Sequence, residues 1–288
     1  MDNLLQSLKF QTKLIVIDMD GTLLDSKHRI TPTTLKTLIA ATANGISIIL
    51  ATGRSPRSVV KALKESNTSH LEWTPQIAIC LNGALTYSLT LNSSLYSETT
   101  QNLIPRSDCV NAVFQVKAAF EDKLVGVAVE FGYTFKCDPI YHRYRSSKIY
   151  YEVEIYTSDS MFDEGAHKIM INHPDLSAQA LHARLPVCLK DGSLNVDLTF
   201  SSLDIVDIVR KGTSKASALR KYCEINGINR ECVMAFGDSH NDSEMLKWAG
   251  IGVAMGNSDD YVKSMADYVT CTNDDEGVSK IINAILAI

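Results

Sequence analysis

The chain has no C-x-x-C pair, no apolar stretch approaching the length of a membrane span, no excess of basic residues, and no tandem repeat or low-complexity linker. Each absence excludes something. The seven cysteines, Cys80, Cys109, Cys137, Cys188, Cys223, Cys232 and Cys271, are odd in number, and several lie in apolar stretches. Reduced core thiols in a cytosolic protein account for them better than disulfides or a zinc site. A formal net charge of -5 argues against general affinity for nucleic acid or an anionic membrane. The opening residues MDNLLQSLKF carry an acid at position 2 and too short an apolar run for a signal peptide, so a cytoplasmic location is expected. What is present is an ordinary globular composition, 45% hydrophobic and 21% charged. Its 288 residues suit two domains, or one domain with a large insertion.

Residues 14–25, LIVIDMDGTLLD, organise the rest. Four apolar residues run straight into Asp18 and Asp20, and Gly21-Thr22 then turns the chain. This pattern predicts a strand buried on both faces that delivers its carboxylates at its C-terminal end, the edge where open α/β sheets bind ligands. Two acids one residue apart suggest a cation site, or a nucleophile paired with a proton donor; an acidic turn is the plain alternative. An EF-hand is excluded, because counting from Asp18 its sixth and twelfth positions hold Leu23 and Arg29 instead of Gly and Glu.

The same grammar recurs. Thr31-Pro32 opens a helical pattern that stops at Asn44-Gly45, and residues 46–51 form a second buried strand ending in Thr52-Gly53-Arg54. A hydroxyl followed by Gly and a helix start suits a phosphate oxygen, although Thr-Gly also makes plain turns. Residues 76–81 form a third strand ending in Asn82-Gly83-Ala84, a strong β-turn signal. Further on, Lys211-Gly212-Thr213-Ser214-Lys215 precedes a helix reaching about Asn226. Lys215 in the first turn opposes the helix dipole, which is understandable if it faces carboxylates or phosphate; an exposed lysine tolerated at a cost of a few tenths of a kcal/mol is the plain alternative. Residues 231–236 form another apolar strand, ending in Gly237-Asp238-Ser239-His240-Asn241-Asp242. So many acids at a strand end suit Mg²⁺ ligation, though they also serve as helix caps.

Between these segments the texture changes. Residues 86–96 and 124–135 alternate like antiparallel strands, 105–120 and 175–184 look helical, and 148–156, 167–171 and 185–200 contain strand-like runs. Residues 204–209 read as the return to the first domain. The expected division is a core of 1–84 and 204–288, interrupted by an α+β insertion of 85–203. Within the insertion, Tyr141-His142-Arg143-Tyr144-Arg145 either binds the distal part of an anionic substrate or is a solvated loop. His167, His173 and His182 lack ligand-like spacing, and Asp274, Asp275 and Glu276 read as an exposed loop.

DMDGTLLD resembles the first motif of the haloacid dehalogenase superfamily, whose phosphatases carry Asp-x-Asp-Gly-Thr after their first strand. Thr52, the Gly-Thr-Ser-Lys run and GDSHND resemble its second, third and fourth motifs. Asn82-Gly83-Ala84 and the IGVAMGN, ADYVT and NDDEGV segments resemble its Cof-type branch. The resemblance implies an α/β fold: a Rossmannoid core with a parallel sheet, plus an inserted C2B cap that excludes water and selects the leaving group. It implies a Mg²⁺-dependent phosphatase acting on small phosphorylated metabolites, such as sugar or cofactor phosphates, through an aspartyl-phosphate. Asp18 would be nucleophile and Asp20 general acid/base. Thr52, Gly53, Arg54, Asn82, Gly83, Lys215 and Asn241 would contact phosphate. Asp18, Asp238 and the main-chain carbonyl of Asp20 would hold Mg²⁺, with Asp242 in support. Neither nucleic acid nor membrane is an expected partner. A phosphomannomutase-like phosphotransferase and a non-catalytic phosphometabolite sensor are the alternatives; GDSHND lacks the longer insertion of the mutases, and all expected catalytic side chains are present.

Overall fold

The computed structural model describes residues 12–66, 73–88, 97–145, 154–156, 159–202 and 204–286. In chain order the strands are β1 (Leu14–Ile17), β2 (Ser47–Ala51), β3 (Ile77–Cys80), β4 (Leu85–Ser88) and β5 (Ser97–Gln101). Next come β6 (Gly126–Phe131), β7 (Thr134–Cys137), β8 (Glu154–Ile155), β9 (Lys168–Asn172), β10 (Val196–Ser202) and β11 (Ile205–Arg210). The last three are β12 (Val233–Gly237), β13 (Ile251–Ala254) and β14 (Tyr268–Val269).

The chain divides into two compact units, residues 1–100 with 214–288, and residues 101–213. In the first, an eight-stranded sheet runs in the order β14-β13-β12-β1-β2-β3-β4-β5. β1 pairs in parallel with both β12 and β2, so the chain order reverses at β1, which puts a ligand crevice at the C-terminal ends of these strands. The unbroken apolar run of β1 follows from two-sided burial. Ile15 and Ile17 enter a core with Leu35, Leu38 and Ile282, while Leu14 and Val16 enter another with Ala216, Leu219 and Leu246. Helix Pro32–Ala43 begins as its residues predict, with Pro32 in its first turn and the Thr31 hydroxyl accepting from the Thr34 N–H.

The second unit is a six-stranded sheet in the order β10-β11-β9-β6-β7-β8. Val127, Val129, Ile169, Ile171, Val206 and Ile208 form its main core with helices Arg106–Ala118 and Ala178–Arg184. On the opposite face Met170 packs with Ala128 and Tyr141, and Lys168 Nζ lies 3.4 Å from Asp207 Oδ2 in a buried ion pair.

Both expected domain boundaries shift. β4 is antiparallel to β3 and, with β5, extends the first sheet beyond residue 84. An antiparallel edge on a parallel sheet looks like a change of domain when only alternation is read. Residues 204–209, expected to return to the first domain, instead lead into and form most of β11, which lies between β10 and β9. The buried run of β11 carries the apolar signature of a parallel core strand, so its sheet cannot be read locally. Residues 124–135 hold β6 and the start of the β6–β7 hairpin, turned at Gly132 with φ +56. Residues 185–200 contain a 3₁₀ turn before β10. The Tyr141–Arg145 cluster closes helix Pro139–Arg145 and is no loop: Tyr141 is buried and Arg145 pairs with Asp204. Strand readings over 89–96 and 148–153 lie outside the described residues. No described helix is long and apolar enough to cross a membrane. Cys80, Cys109, Cys137 and Cys223 are buried free thiols, whereas Cys271 is exposed.

His167 gives the second unit a pH dependence. Its Nδ1 accepts from the Gly132 N–H at 3.0 Å, which fixes the ring as a neutral acceptor, and the residue is 1% exposed. Burial pushes its pKa down to about 4. A folded pKa below the unfolded value of about 6.5 means that the unfolded chain binds the extra proton, so stability is complete above pH ~6.5 and is lost as pH falls toward about 4. The full effect is on the order of 3 kcal/mol. Urea unfolding between about pH 7.5 and pH 5 is expected to show this slope, and a His167→Gln protein a shallower one.

Candidate active site

The hydrogen-bond register of β1 continues one residue past the strand, with the Asp18 N–H donating to the Phe236 carbonyl at 3.1 Å. This carries Asp18 to the sheet edge, where it is buried; Asp20 follows, half exposed. The loop is folded on itself by Leu23 N–H to Asp18 O and Leu24 N–H to Met19 O, at 3.1 and 2.9 Å, with Met19 and Leu24 buried beneath. Gly21 is obligatory here. Its φ is +77, and a Cβ would stand 2.4 Å from Asp238 Oδ2.

Lys215 is the first residue of helix Lys215–Ile225, capped by Ser214 in a reciprocal box with Ser217. Its position against the dipole has a local cause: Nζ donates to Asp18 Oδ1 at 2.6 Å and to Asp242 Oδ1 at 2.7 Å. Burial alone would lower the lysine's pKa, but the two carboxylates outweigh it and hold the pKa above its ordinary value. Gly83 lets the cap approach. It has φ +99, and a Cβ there would lie 2.2 Å from the Ser214 carbonyl oxygen. The Asn82-Gly83 β-turn forms as its residues predict: Asn82 (φ 58) and Gly83 are both left-handed, the Ala84 N–H donates to the Leu81 carbonyl at 3.2 Å, and the turn joins antiparallel β3 and β4; Leu81 before it is also left-handed, at φ 52.

Asp238 and Asp242 divide the work at the end of β12. Asp242 is fully buried; its Oδ2 accepts from the Asp238 and Ser239 N–H groups at 3.1 and 3.0 Å, and its Oδ1 serves Lys215. Asp238 is half buried and accepts from the Thr22 hydroxyl at 2.9 Å. Burial, reinforced by the Asp242 charge, raises its pKa to about 6. Burial likewise raises Asp18 well above the ordinary carboxylate range; Lys215 opposes this, while Asp242 and Asp238 add to it. Oxygens of Asp18, Asp238 and Asp242 lie within 4.8 Å of one another. Three carboxylates around one ammonium leave the cluster short of positive charge, and hard oxygen donors suit Mg²⁺. Asp242 is spent on the Lys215 ammonium and two main-chain N–H groups. Among the described residues, the Asp238 side chain accepts only from the Thr22 and Ser239 hydroxyls and the Asp18 side chain only through Oδ1, which leaves Asp18 and Asp238 as the side chains that fit a cation.

The β2 side supplies the remaining predicted residues. Thr52 is buried at the strand end, and its hydroxyl accepts from the Arg54 N–H at 3.1 Å across Gly53. The Asn82 N–H donates to Thr52 O, and Asn241 Nδ2 to Asn82 Oδ1, both at 3.0 Å, joining β2, β3 and β12 in one network. Arg54 grips Asp20 with two bonds, Nε to Oδ2 at 2.7 Å and a terminal nitrogen to Oδ1 at 2.6 Å. Partial burial would raise the Asp20 pKa, yet Arg54 overrides it and holds the carboxyl below its usual range. Two participants escape sequence reasoning. Thr22 was legible only as part of the DGT turn, and His28, 3.6 Å from Asp20 Oδ1, is a lone exposed histidine without any motif.

A buried carboxylate bound to an ammonium, a second acid two residues on and a cation-hungry third acid at the next strand end form a site for an anionic ester. The comparisons agree. The pyridoxal phosphate phosphatase YbhA of Escherichia coli is 29% identical over 282 residues, covering 94% of this chain and 97% of that protein. The 5-amino-6-(5-phospho-D-ribitylamino)uracil phosphatase YcsE of Bacillus subtilis is 28% identical over 277 residues, covering 94% of each. The solved structure of the subclass IIB sugar phosphatase BT4131 matches with a TM-score of 0.77 at 27% identity, covering 96% of this chain and 100% of that one. With the family model for haloacid dehalogenase-like hydrolases matching residues 15–282, the chain belongs to that family and is one of its Cof-type phosphatases.

Proposed function

We propose that this phosphatase hydrolyses phosphate monoesters of small metabolites, sugar or cofactor phosphates, through a covalent phosphate on Asp18. The observation that carries the reading is the contact of buried Asp18 with Lys215 beside Asp238, with Asp20 two residues away at the more open side of the loop. A carboxylate oxygen of Asp18 attacks phosphorus as the bond to the ester oxygen breaks; Asp20, which takes up a proton from solvent once the Arg54 guanidinium turns from it to the phosphate, gives that proton to the departing oxygen. The products are the free alcohol and an aspartyl-phosphate. Asp20, now ionised, takes a proton from water, whose oxygen attacks the same phosphorus; inorganic phosphate leaves and Asp18 is restored.

Lys215 neutralises charge on the phosphoryl oxygens while fixing the orientation of Asp18, a largely electrostatic and positioning task. Thr52, Gly53, Asn82, Gly83 and Asn241 would contact the phosphate, a reading supported by the bonds that tie Asn241 to Asn82 and Asn82 to Thr52 at the ends of β12, β3 and β2. Arg54 holds Asp20 while the site awaits substrate and has a guanidinium suited to phosphate. Mg²⁺, held by Asp18, Asp238 and the Asp20 main-chain carbonyl, would supply positive charge that the cluster itself lacks. The substrate class rests on the relatives, named for a vitamin-derived cofactor phosphate, a flavin-precursor phosphate and sugar phosphates.

Phosphate release measured over sugar phosphates, pyridoxal 5′-phosphate, flavin mononucleotide and nucleotides tests the reading. Release is expected with Mg²⁺, none after chelation, and recovery on adding Mg²⁺ back. Turnover that survives chelation overturns the metal's role, and silence across the whole panel overturns hydrolysis.

A further inference from the structure

The C-terminal segment holds the Asp18–Asp25 loop through side-chain amides that no step above uses. Asn257 Nδ2 donates to the Gly21 carbonyl at 2.9 Å, and Asn257 Oδ1 accepts from the Asn273 N–H at 3.1 Å. That second bond sets which end of the amide is which, so the group facing Gly21 is the donor. Asn273 Nδ2 in turn donates to the Leu24 carbonyl at 2.8 Å, and Asp274 Oδ1 accepts from the Ser26 N–H at 2.8 Å. Glu276 anchors the other end of the segment, accepting from the Thr31 and Thr34 hydroxyls at 2.7 and 2.6 Å.

Asn257 is exposed, so the contact with Gly21 replaces a water the carbonyl would otherwise bind. Its effect is one of position. The Gly21–Thr22 pair is held from two sides, its carbonyl by Asn257 and its hydroxyl by Asp238. Asp20 hangs from the residue immediately before. Gly21, with φ +77 and no side chain, supplies no stiffness of its own, and once Arg54 lets go of Asp20 the bond from Asn257 is what still fixes the peptide next to the acid.

We propose that Asn257, oriented by Asn273, is a positioning residue for the general acid Asp20, fixing the loop through the Gly21 carbonyl while Asp238 fixes it through the Thr22 hydroxyl. The inference rests on the role given to Asp20 above. Because Asp20 matters most when the departing alcohol needs a proton, losing its alignment shows in the leaving group. Asn257→Asp keeps the size and the bond from Asn273 but removes the donor to Gly21.

The test compares an alkyl phosphate with p-nitrophenyl phosphate, whose leaving group departs without help. The wild type must first hydrolyse both esters with Mg²⁺; failure there strikes the proposed function and not the clasp. In Asn257→Asp, kcat for the alkyl ester is expected to fall about 10–100-fold, the scale of a small misplacement of a reacting group, with KM unchanged. For p-nitrophenyl phosphate the fall is expected to stay within about 3-fold, since its leaving group needs little acid. Asn273→Asp should give the same signature more weakly. Equal losses on both esters accompanied by a lowered melting temperature make Asn257 merely structural, and wild-type rates on both remove it from the mechanism; either result overturns the proposal.

Discussion

Asp18→Asn protein is expected to release no measurable phosphate from any substrate the wild type accepts, a loss of at least about 10³-fold. The amide has the carboxylate's shape and still offers an oxygen to Lys215 Nζ, now 2.6 Å from Asp18 Oδ1, so the site's frame stays in place. What disappears is the attacking oxygen. Acid-quenched wild type is expected to carry phosphate on the peptide containing Asp18, the Asn variant none, and Asp20→Asn more than wild type, because attack continues on activated esters while water lacks its base. The stability should move the opposite way. Burial raises the Asp18 pKa, so an ionised carboxylate there is a burden at neutral pH when no metal is present. In chelator the Asp18→Asn protein is therefore expected to melt no lower than wild type. A variant that turned over substrate at the wild-type rate would sink the covalent mechanism outright.

How far the sequence carries depends on whether a feature is local. LIVI followed by two acids is a local statement about burial and a strand end, and β1 has that environment, with both faces covered. Lys215 also advertised itself locally, as a cation in a helical first turn, and its two partners are acids. Interactions across the chain left no such mark. Nothing in the spacing of Asp20 and Arg54 specifies a two-bond grip, and Glu276, read as part of an exposed loop, receives bonds from Thr31 and Thr34 far away in sequence. The domain boundary failed for a related reason: β11 is apolar because it is buried, and burial does not say in which sheet.

Lys215→Met is expected to be the most destabilising single change at the site. Methionine fills much of the same volume, so the effect isolates charge from packing. Asp18, Asp238 and Asp242 would then face one another without the ammonium that pairs with Asp18 and Asp242. Removing one partner of a buried ionic cluster costs about 3–5 kcal/mol, because the desolvation of the survivors is no longer offset. Activity should fall by at least about 10²-fold, the scale of losing one preorganised donor to a charged transition state. Adding Asp18→Asn to Lys215→Met discriminates charge from a simple folding defect. If acid repulsion causes the instability, the double variant recovers part of it, a coupling of roughly 0.5–3 kcal/mol, while activity stays absent. Mg²⁺ gives a second reading. It should raise the melting temperature of Lys215→Met more than that of wild type, since an added cation is worth most where the resident one is missing. Additive destabilisation in the double variant, or equal Mg²⁺ shifts, would mean that Lys215 stabilises through its alkyl stem and not by balancing the acids on which the proposed chemistry depends.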